Sequence, residues 1–124
     1  MLDHARCYIH KLAAAVVFIG SYCFCTVAQA ADVSAGPSTV LSQSMFSYSS
    51  YGNGDVVFQL TNNPVSQCFG FWLRASDPGF KNNLAILLSV IQTQGQITVN
   101  ADDTSANHWS GSTTAYCIVT SLQL

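Results

Sequence analysis

The feature that most narrows the fold is a single change of hydrophobic period. From Val56 to Thr61 the residues alternate, with Val56, Phe58 and Leu60 on one face and Val57, Gln59 and Thr61 on the other. Period two marks a half-buried strand. Alternation returns at Val65–Ala75, at Gln96–Ala101 and at Thr113–Leu124. In the first of these, Phe69, Phe71 and Leu73 are expected on the face opposite Cys68, Gly70, Trp72 and Arg74. In the last, Ile118, Leu122 and Leu124 are expected opposite Cys117 and Val119. Only between Ala75 and Gln96 does the pattern switch. There Phe80, Leu84, Leu87, Leu88 and Ile91 share one arc of a wheel of about 3.6 residues per turn. This predicts an amphipathic helix over 80–94, opened by Asp77-Pro78-Gly79 and stopped by Gly95.

The punctuation between these runs completes the order. Thr39–Tyr51 is β-prone and rich in Ser and aromatics, and Gly52-Asn53-Gly54-Asp55 is a turn signal, because Gly and Asn accept positive φ. Asn62-Asn63-Pro64 breaks the next strand, and 102–112 is a polar loop. Ala31–Ser38, small and polar around Gly36-Pro37, is expected to be a flexible lead, with the folded domain over 39–124. The resulting order, β-β-β-α-β-β, is that of the OB-fold, a small Greek-key barrel. The expectation is therefore a mainly β (α+β) domain: a five-stranded OB-fold-like barrel with one helix between strands 3 and 4.

Residues 1–30 are set apart from that domain. Arg6, Lys11 and two His give a positive start, Leu12–Val27 is largely apolar, and Ala28-Gln29-Ala30 supplies small residues at −3 and −1. This reads as a secretory signal peptide cleaved after Ala30. The run is short for the rival reading, a membrane anchor, which needs about 20 apolar residues. Secretion leaves two cysteines, Cys68 and Cys117, in 31–124. In an oxidising compartment they read as a disulfide, closing a loop of about 50 residues and stabilising by about 4 kcal/mol. The alternative roles, redox centre or metal ligands, lack a CxxC spacing.

Charge excludes several functions. Only 8% of the 124 residues are charged, the net charge is -2, and no Glu occurs. After the leader, Asp32, Asp55, Asp77, Asp102 and Asp103 face Arg74 and Lys81 alone. A nucleic-acid groove needs rows of Lys and Arg, so nucleic acid is not an expected partner. For catalysis, His108 lies near Asp102, Asp103 and Ser110 in one loop, a poor holder for a triad. Asp102 and Asp103 are sequence neighbours rather than opposed acids. Asn100, Asp102 and Thr104 imitate the start of a calcium loop, but Ser105 and Gly111 replace its Gly and Glu. No metal, cofactor or enzymatic activity is expected.

Neutral, hydroxyl-rich ligands suit this composition better. Glycans are held by aromatic faces and by Asn, Ser, Thr and Asp hydrogen bonds. Two places offer these: Tyr48 and Tyr51 in the Ser-rich first strand, and Asn107, His108, Trp109 and Ser110 in the polar loop. Trp109 reads either as a sugar platform or as a cover for the barrel end. On the helix, Ile86 and Val90 form a second apolar strip, which either widens the core contact or meets another subunit.

The stretch Gly54–Leu124 resembles small secreted OB-fold proteins of the subtilase-cytotoxin B-subunit-like group. The residues that carry the resemblance are Asp55-Val56-Val57-Phe58, Cys68, Leu84-Ala85-Ile86-Leu87-Leu88, Gly95-Gln96-Ile97-Thr98-Val99 and Cys117-Ile118-Val119. It implies a non-catalytic, glycan-binding subunit of a bacterial toxin. Such subunits form homopentameric rings with helices lining the pore, and carry a toxin enzyme subunit into host cells. The expected function is a secreted glycan-binding domain, with host glycan, sister subunits and a toxin enzyme subunit as partners. The alternative is a periplasmic or secreted inhibitor or adaptor that binds a protein, with no membrane span once the signal is removed.

Overall fold

The computed structural model describes residues 31–124. The expected signal peptide lies outside these described residues. Six strands and one helix follow in the order β1 (Asp32–Ser38), β2 (Val40–Met45), β3 (Val56–Leu60), β4 (Gly70–Leu73), α1 (Phe80–Thr93), β5 (Ile97–Asp102) and β6 (Tyr116–Gln123). All six strands belong to one sheet, ordered β1-β5-β6-β4-β3-β2. The pairs are antiparallel except β4 with β6. The mainly β class is as expected. The count of five strands and the closed barrel are not: no ladder joins β1 to β2, which end the order on opposite sides.

The expected flexible lead is strand β1. Asp32–Ala35 pairs with β5, and one extra residue is absorbed at Gly36-Pro37 before Ser38 meets Ile97. The pairing hides in the sequence because its inward residues, Ala35 and Ser38, are small, yet both are buried. Thr39 alone separates β1 from β2. This corner is pinned by the Thr61 N–H donating to the Thr39 carbonyl (2.9 Å) and the Asn62 N–H to Ser38 Oγ (2.9 Å). The buried serine is thus satisfied, as burial demands.

Side-chain alternation builds the inner core. Val56, Phe58 and Leu60 of β3, Phe71 and Leu73 of β4, Ile97, Val99 and Ala101 of β5, and Cys117, Val119 and Leu122 of β6 form one cluster with Leu87 and Val90 of α1. Burial of each large member stabilises the fold by about 1.5–3 kcal/mol. On β6 the facing differs from strict alternation. Val99 faces Leu122 but Ala101 faces Val119, so Thr120–Ser121 holds one extra residue. That bulge puts Cys117 and Val119 on the same face as Leu122 and turns Ile118 to the other side. Phe69 also departs from expectation. It precedes the short β4 and is 56% exposed, because the chain turns at Val65–Cys68.

The helix forms where the period predicts it, and corrects two assignments. Val90, a candidate subunit contact, is 3% exposed in the core, and Ile86 packs partly buried against the same cluster. The strip they form widens the core contact. Leu88, assigned to the core arc, is instead 41% exposed. The helix ends on Gln94 rather than Gly95: Gln94 takes the left-handed conformation at φ 52°, and the Gly95 N–H donates to the Val90 carbonyl at 2.9 Å. The disulfide joins Cys68 to Cys117, as the cysteine count predicts, with Cα atoms 5.5 Å apart. No helix among the described residues is long and apolar enough to cross a membrane.

Candidate functional site

The outer face of the sheet carries a second, smaller core. Val57 of β3, Trp72 of β4 and Ile118 of β6 are neighbours across the ladders, on the side away from the main core. Left bare they would form an apolar patch in water. Two connections fold over them: the hairpin 46–55 between β2 and β3, and the loop 103–115 between β5 and β6. The hairpin contributes Phe46, and the loop contributes Trp109.

The turn in the hairpin is built from positive-φ residues, Gly52 at 74°, Asn53 at 45° and Gly54 at 89°. A β-carbon on Gly52 would collide with the Phe46 ring. Glycine there lets the turn close over the aromatic ring. The Tyr48 carbonyl accepts from the N–H groups of Tyr51 and Asn53, both at 3.1 Å. The two tyrosines are thereby held on one tight loop.

These two connections, read separately in the sequence, are brought together. Trp109 lies 4.8 Å from Phe46, 5.9 Å from Tyr51 and 6.0 Å from Tyr116 by ring centroid. The Tyr51 hydroxyl donates to the Gly111 carbonyl at 2.8 Å. A β-carbon on Gly111 would collide with the Trp109 indole, so the loop can wrap that ring only with glycine here. The row continues from Tyr116 to exposed Phe69, 5.7 Å away.

Asp55 ties the parts together. Its Oδ2 accepts from Trp109 Nε1 at 3.2 Å, and its Oδ1 from the Ala75 N–H at 2.9 Å. The other indole, Trp72, donates from Nε1 to the Asn107 carbonyl at 3.0 Å. Arg74 lies over the Trp72 ring at 5.1 Å and reaches Asp77 at 3.7 Å. Asp55, Phe46 and Gly111 were not among the sequence candidates. Only the placement of Asp55 right after the turn hinted at a structural duty.

Exposure sorts the candidates. Trp109 is 5% exposed, so its faces are spent on Phe46, Tyr51 and Tyr116, and it is a cover rather than a platform. Tyr48 and Tyr51 are 69% and 50% exposed. Ser110 is exposed on the loop, next in sequence to Gly111, whose carbonyl takes the Tyr51 hydroxyl, and Asn107 and His108 are half-buried. Asn107 faces inward: its Nδ2 donates to Asp102 Oδ2 at 2.7 Å.

Asp102 organises the start of the same loop. It accepts from the Thr104 N–H at 2.8 Å as well as from Asn107. Hydrogen bonds from Thr104, side chain and then backbone, and from Asn107 hold its carboxyl below the usual carboxylate range, against the opposing effect of burial. Its oxygens are therefore committed to the loop, and the calcium-like spacing with Asn100 and Thr104 gathers no ligand set. Asn100 instead donates to Ser121. Among the described residues no group of three or more His, Cys, Asp or Glu is placed to hold a metal ion. His108 does not join Asp102 and Ser110 in a triad: its Nε2 contacts the Asp103 carbonyl at 3.0 Å and Cys117 Sγ at 3.9 Å.

Compared with protein-family models, curated proteins and solved structures, the chain finds no match in any of the three.

Proposed function

We propose that this chain is a secreted, non-catalytic domain of OB type that binds glycans through the tyrosine hairpin and the adjoining Ser110 edge of the loop 103–115. The strand order supports the OB reading. A single helix sits between β4 and β5, β4 and β6 are the one parallel pair, and β1 and β2 follow each other with one residue between them. Counted as two halves of one bent strand, β1 and β2 leave the order of elements of an OB domain, in an open sheet rather than a closed barrel. In that arrangement the two connections over the outer face are the loops with which OB domains bind sugars and oligonucleotides. The scarcity of Lys and Arg favours the sugar. The leader-like start and the disulfide support secretion.

The observation that carries the glycan reading is the pairing of exposed rings with a rigid base. Tyr48 and Tyr51 present open faces, while Phe46, Trp109 and Asp55 hold the hairpin from beneath. Ser47, Ser49, Ser50 and Asn53 surround them as exposed hydrogen-bonding groups. A preformed aromatic surface with polar neighbours suits a ligand made of apolar ring faces and hydroxyls. Delivery of a toxin enzyme by a ring of such subunits is the wider role that the resemblance implies. Screening the labelled protein against an array of host-type glycans tests the reading. Retention of a related set of glycans supports it, and an empty array counts against it.

One observation favours the rival, protein-binding reading. Strand β2 lies at an end of the sheet, bears no charge, and exposes Leu41 and Met45. Such an edge can receive a partner strand.

A further inference from the structure

The disulfide is asymmetric in its surroundings. Cys117 sits inside β6, paired with Phe71 of β4 on one side and in a strand bound to β5 on the other, and it is fully buried. Cys68 is equally shielded but lies outside any strand. Its N–H donates to the Val65 carbonyl at 3.2 Å and its carbonyl accepts from Asn63 Nδ2 at 2.6 Å, between exposed Gln67 and Phe69. The segment is also tied by the Phe69 N–H to the Ala115 carbonyl at 2.8 Å and by the Val65 N–H to Asn63 Oδ1 at 3.1 Å, but it lacks a ladder on both sides and opens before a central strand does. The imidazole of His108 meets only one of the two sulfurs: Nε2 stands 3.9 Å from Cys117 Sγ. The same Nε2 meets the main-chain carbonyl of Asp103 at 3.0 Å, and of the charged groups Asp102, in the same loop, is near enough for a coulombic effect.

We infer that the disulfide is a reducible switch with a fixed polarity, in which a thiol attacks Cys68 and Cys117 leaves as a thiolate held by His108. The thiolate of a dithiol reductant forms a bond to Cys68 Sγ, and the Cys68–Cys117 bond breaks. Its electron pair goes to Cys117 Sγ, which shares the hydrogen bond that His108 Nε2 gives the Asp103 carbonyl and then takes a proton from water. The second thiolate of the reductant then attacks its own sulfur in the mixed disulfide. The reductant leaves as a cyclic disulfide, and Cys68 takes a proton from water. The net change is one protein disulfide reduced to two thiols and one dithiol oxidised. A leaving thiolate that is stabilised departs faster.

The test uses the oxidised full chain, exported and purified, with reduced glutathione, whose first attack leaves a mixed disulfide that is trapped at early times before a second thiol resolves it. After an acid quench and alkylation with N-ethylmaleimide, peptide mass mapping reads which sulfur carries which label. Glutathione on Cys68 and maleimide on Cys117 are expected. His108→Gln is expected to slow the opening about tenfold, because the leaving sulfur loses its donor. Its oxidised thermal midpoint serves as the folding control. Equal labelling of the two cysteines, glutathione on Cys117, or an unchanged rate in a folded His108→Gln protein would overturn the inference. The mapping on the unsubstituted chain decides the polarity even if that variant does not fold.

Discussion

Removing the Asp55 carboxylate should loosen the whole outer face. Asp55 accepts two hydrogen bonds, from the Trp109 indole at 3.2 Å and from the Ala75 N–H at 2.9 Å, and it is half-buried. A hydrogen bond to a charged group contributes about 1.5–3 kcal/mol, and the partial exposure here places each near the lower limit. Asp55→Ala also strands two donors, so a loss of about 3 kcal/mol is expected. Asp55→Asn keeps one acceptor for Ala75 but turns an amide donor toward the indole donor, for a loss of about half that. For a domain of this size each kcal/mol lowers the midpoint by about 4–8 °C. Urea and thermal unfolding followed by tryptophan fluorescence would read both effects, since the two tryptophans, Trp72 and Trp109, are buried together. A double-mutant cycle sharpens the test. Trp109→Phe removes the indole donor, so Asp55→Asn should be less damaging in that background, with a coupling of about 1 kcal/mol. A loss under about 0.5 kcal/mol for Asp55→Ala, the level of an ordinary surface change, would refute the reasoning. So would strict additivity in the cycle.

Three further outcomes follow from the packing and charges. Leu87→Ala should lose about 2–5 kcal/mol in urea unfolding, whereas Leu88→Ala, one residue on and exposed, should stay within about 0.5 kcal/mol. Replacing both Cys68 and Cys117 by Ser should lose about 4 kcal/mol, the loop-closure contribution for a separation of 49 residues, measured as a shift of the unfolding midpoint. Asp102 has a carboxyl held below its ordinary value, so its contribution is present at neutral pH and is lost as the pH falls through the lowered value. Asp102→Asn should therefore be less stable than the parent at pH 7 and should lose less on acidification, as read from urea midpoints across the acid range.

The parts of this fold that are legible in the sequence are those in which local period and core burial agree. Val56–Leu60 and Ile97–Asp102 alternate cleanly and are strands, and the apolar arc around Leu87 is a helix. What escapes the pattern has a local cause in each case. Strand β1 turns Ala35 and Ser38 inward, and residues that small leave no hydrophobic period. The bulge at Thr120–Ser121 shifts the phase of β6, so Ile118 faces outward although alternation counted back from Leu122 puts it inside. The left-handed helix end falls on Gln94, a residue type without the freedom that made Gly95 the natural expectation.

The candidate surface was legible only in pieces. Tyr48 and Tyr51 could be singled out by type, and Trp109 by its polar neighbours. That the hairpin lies against the loop, joined by Tyr51 to Gly111 and by Asp55 to Trp109, depends on contacts between residues more than fifty positions apart. No local period records such contacts. The same long-range packing buries Trp109 and leaves the tyrosines as the exposed rings. Likewise Val90 reads as a spare apolar residue on a wheel, and only the placement of the helix against the sheet makes it core.

The central claim is that the tyrosine hairpin binds glycan as a preformed surface. It is tested most directly by titrating a glycan retained by the parent protein into Tyr48→Ala, Tyr51→Ala and Leu88→Ala variants by calorimetry. Each tyrosine variant is expected to bind about tenfold or more weakly, a loss of about 1.4 kcal/mol or more, with Leu88→Ala unchanged. Parent-level affinity in both tyrosine variants, with the fold intact, would contradict it.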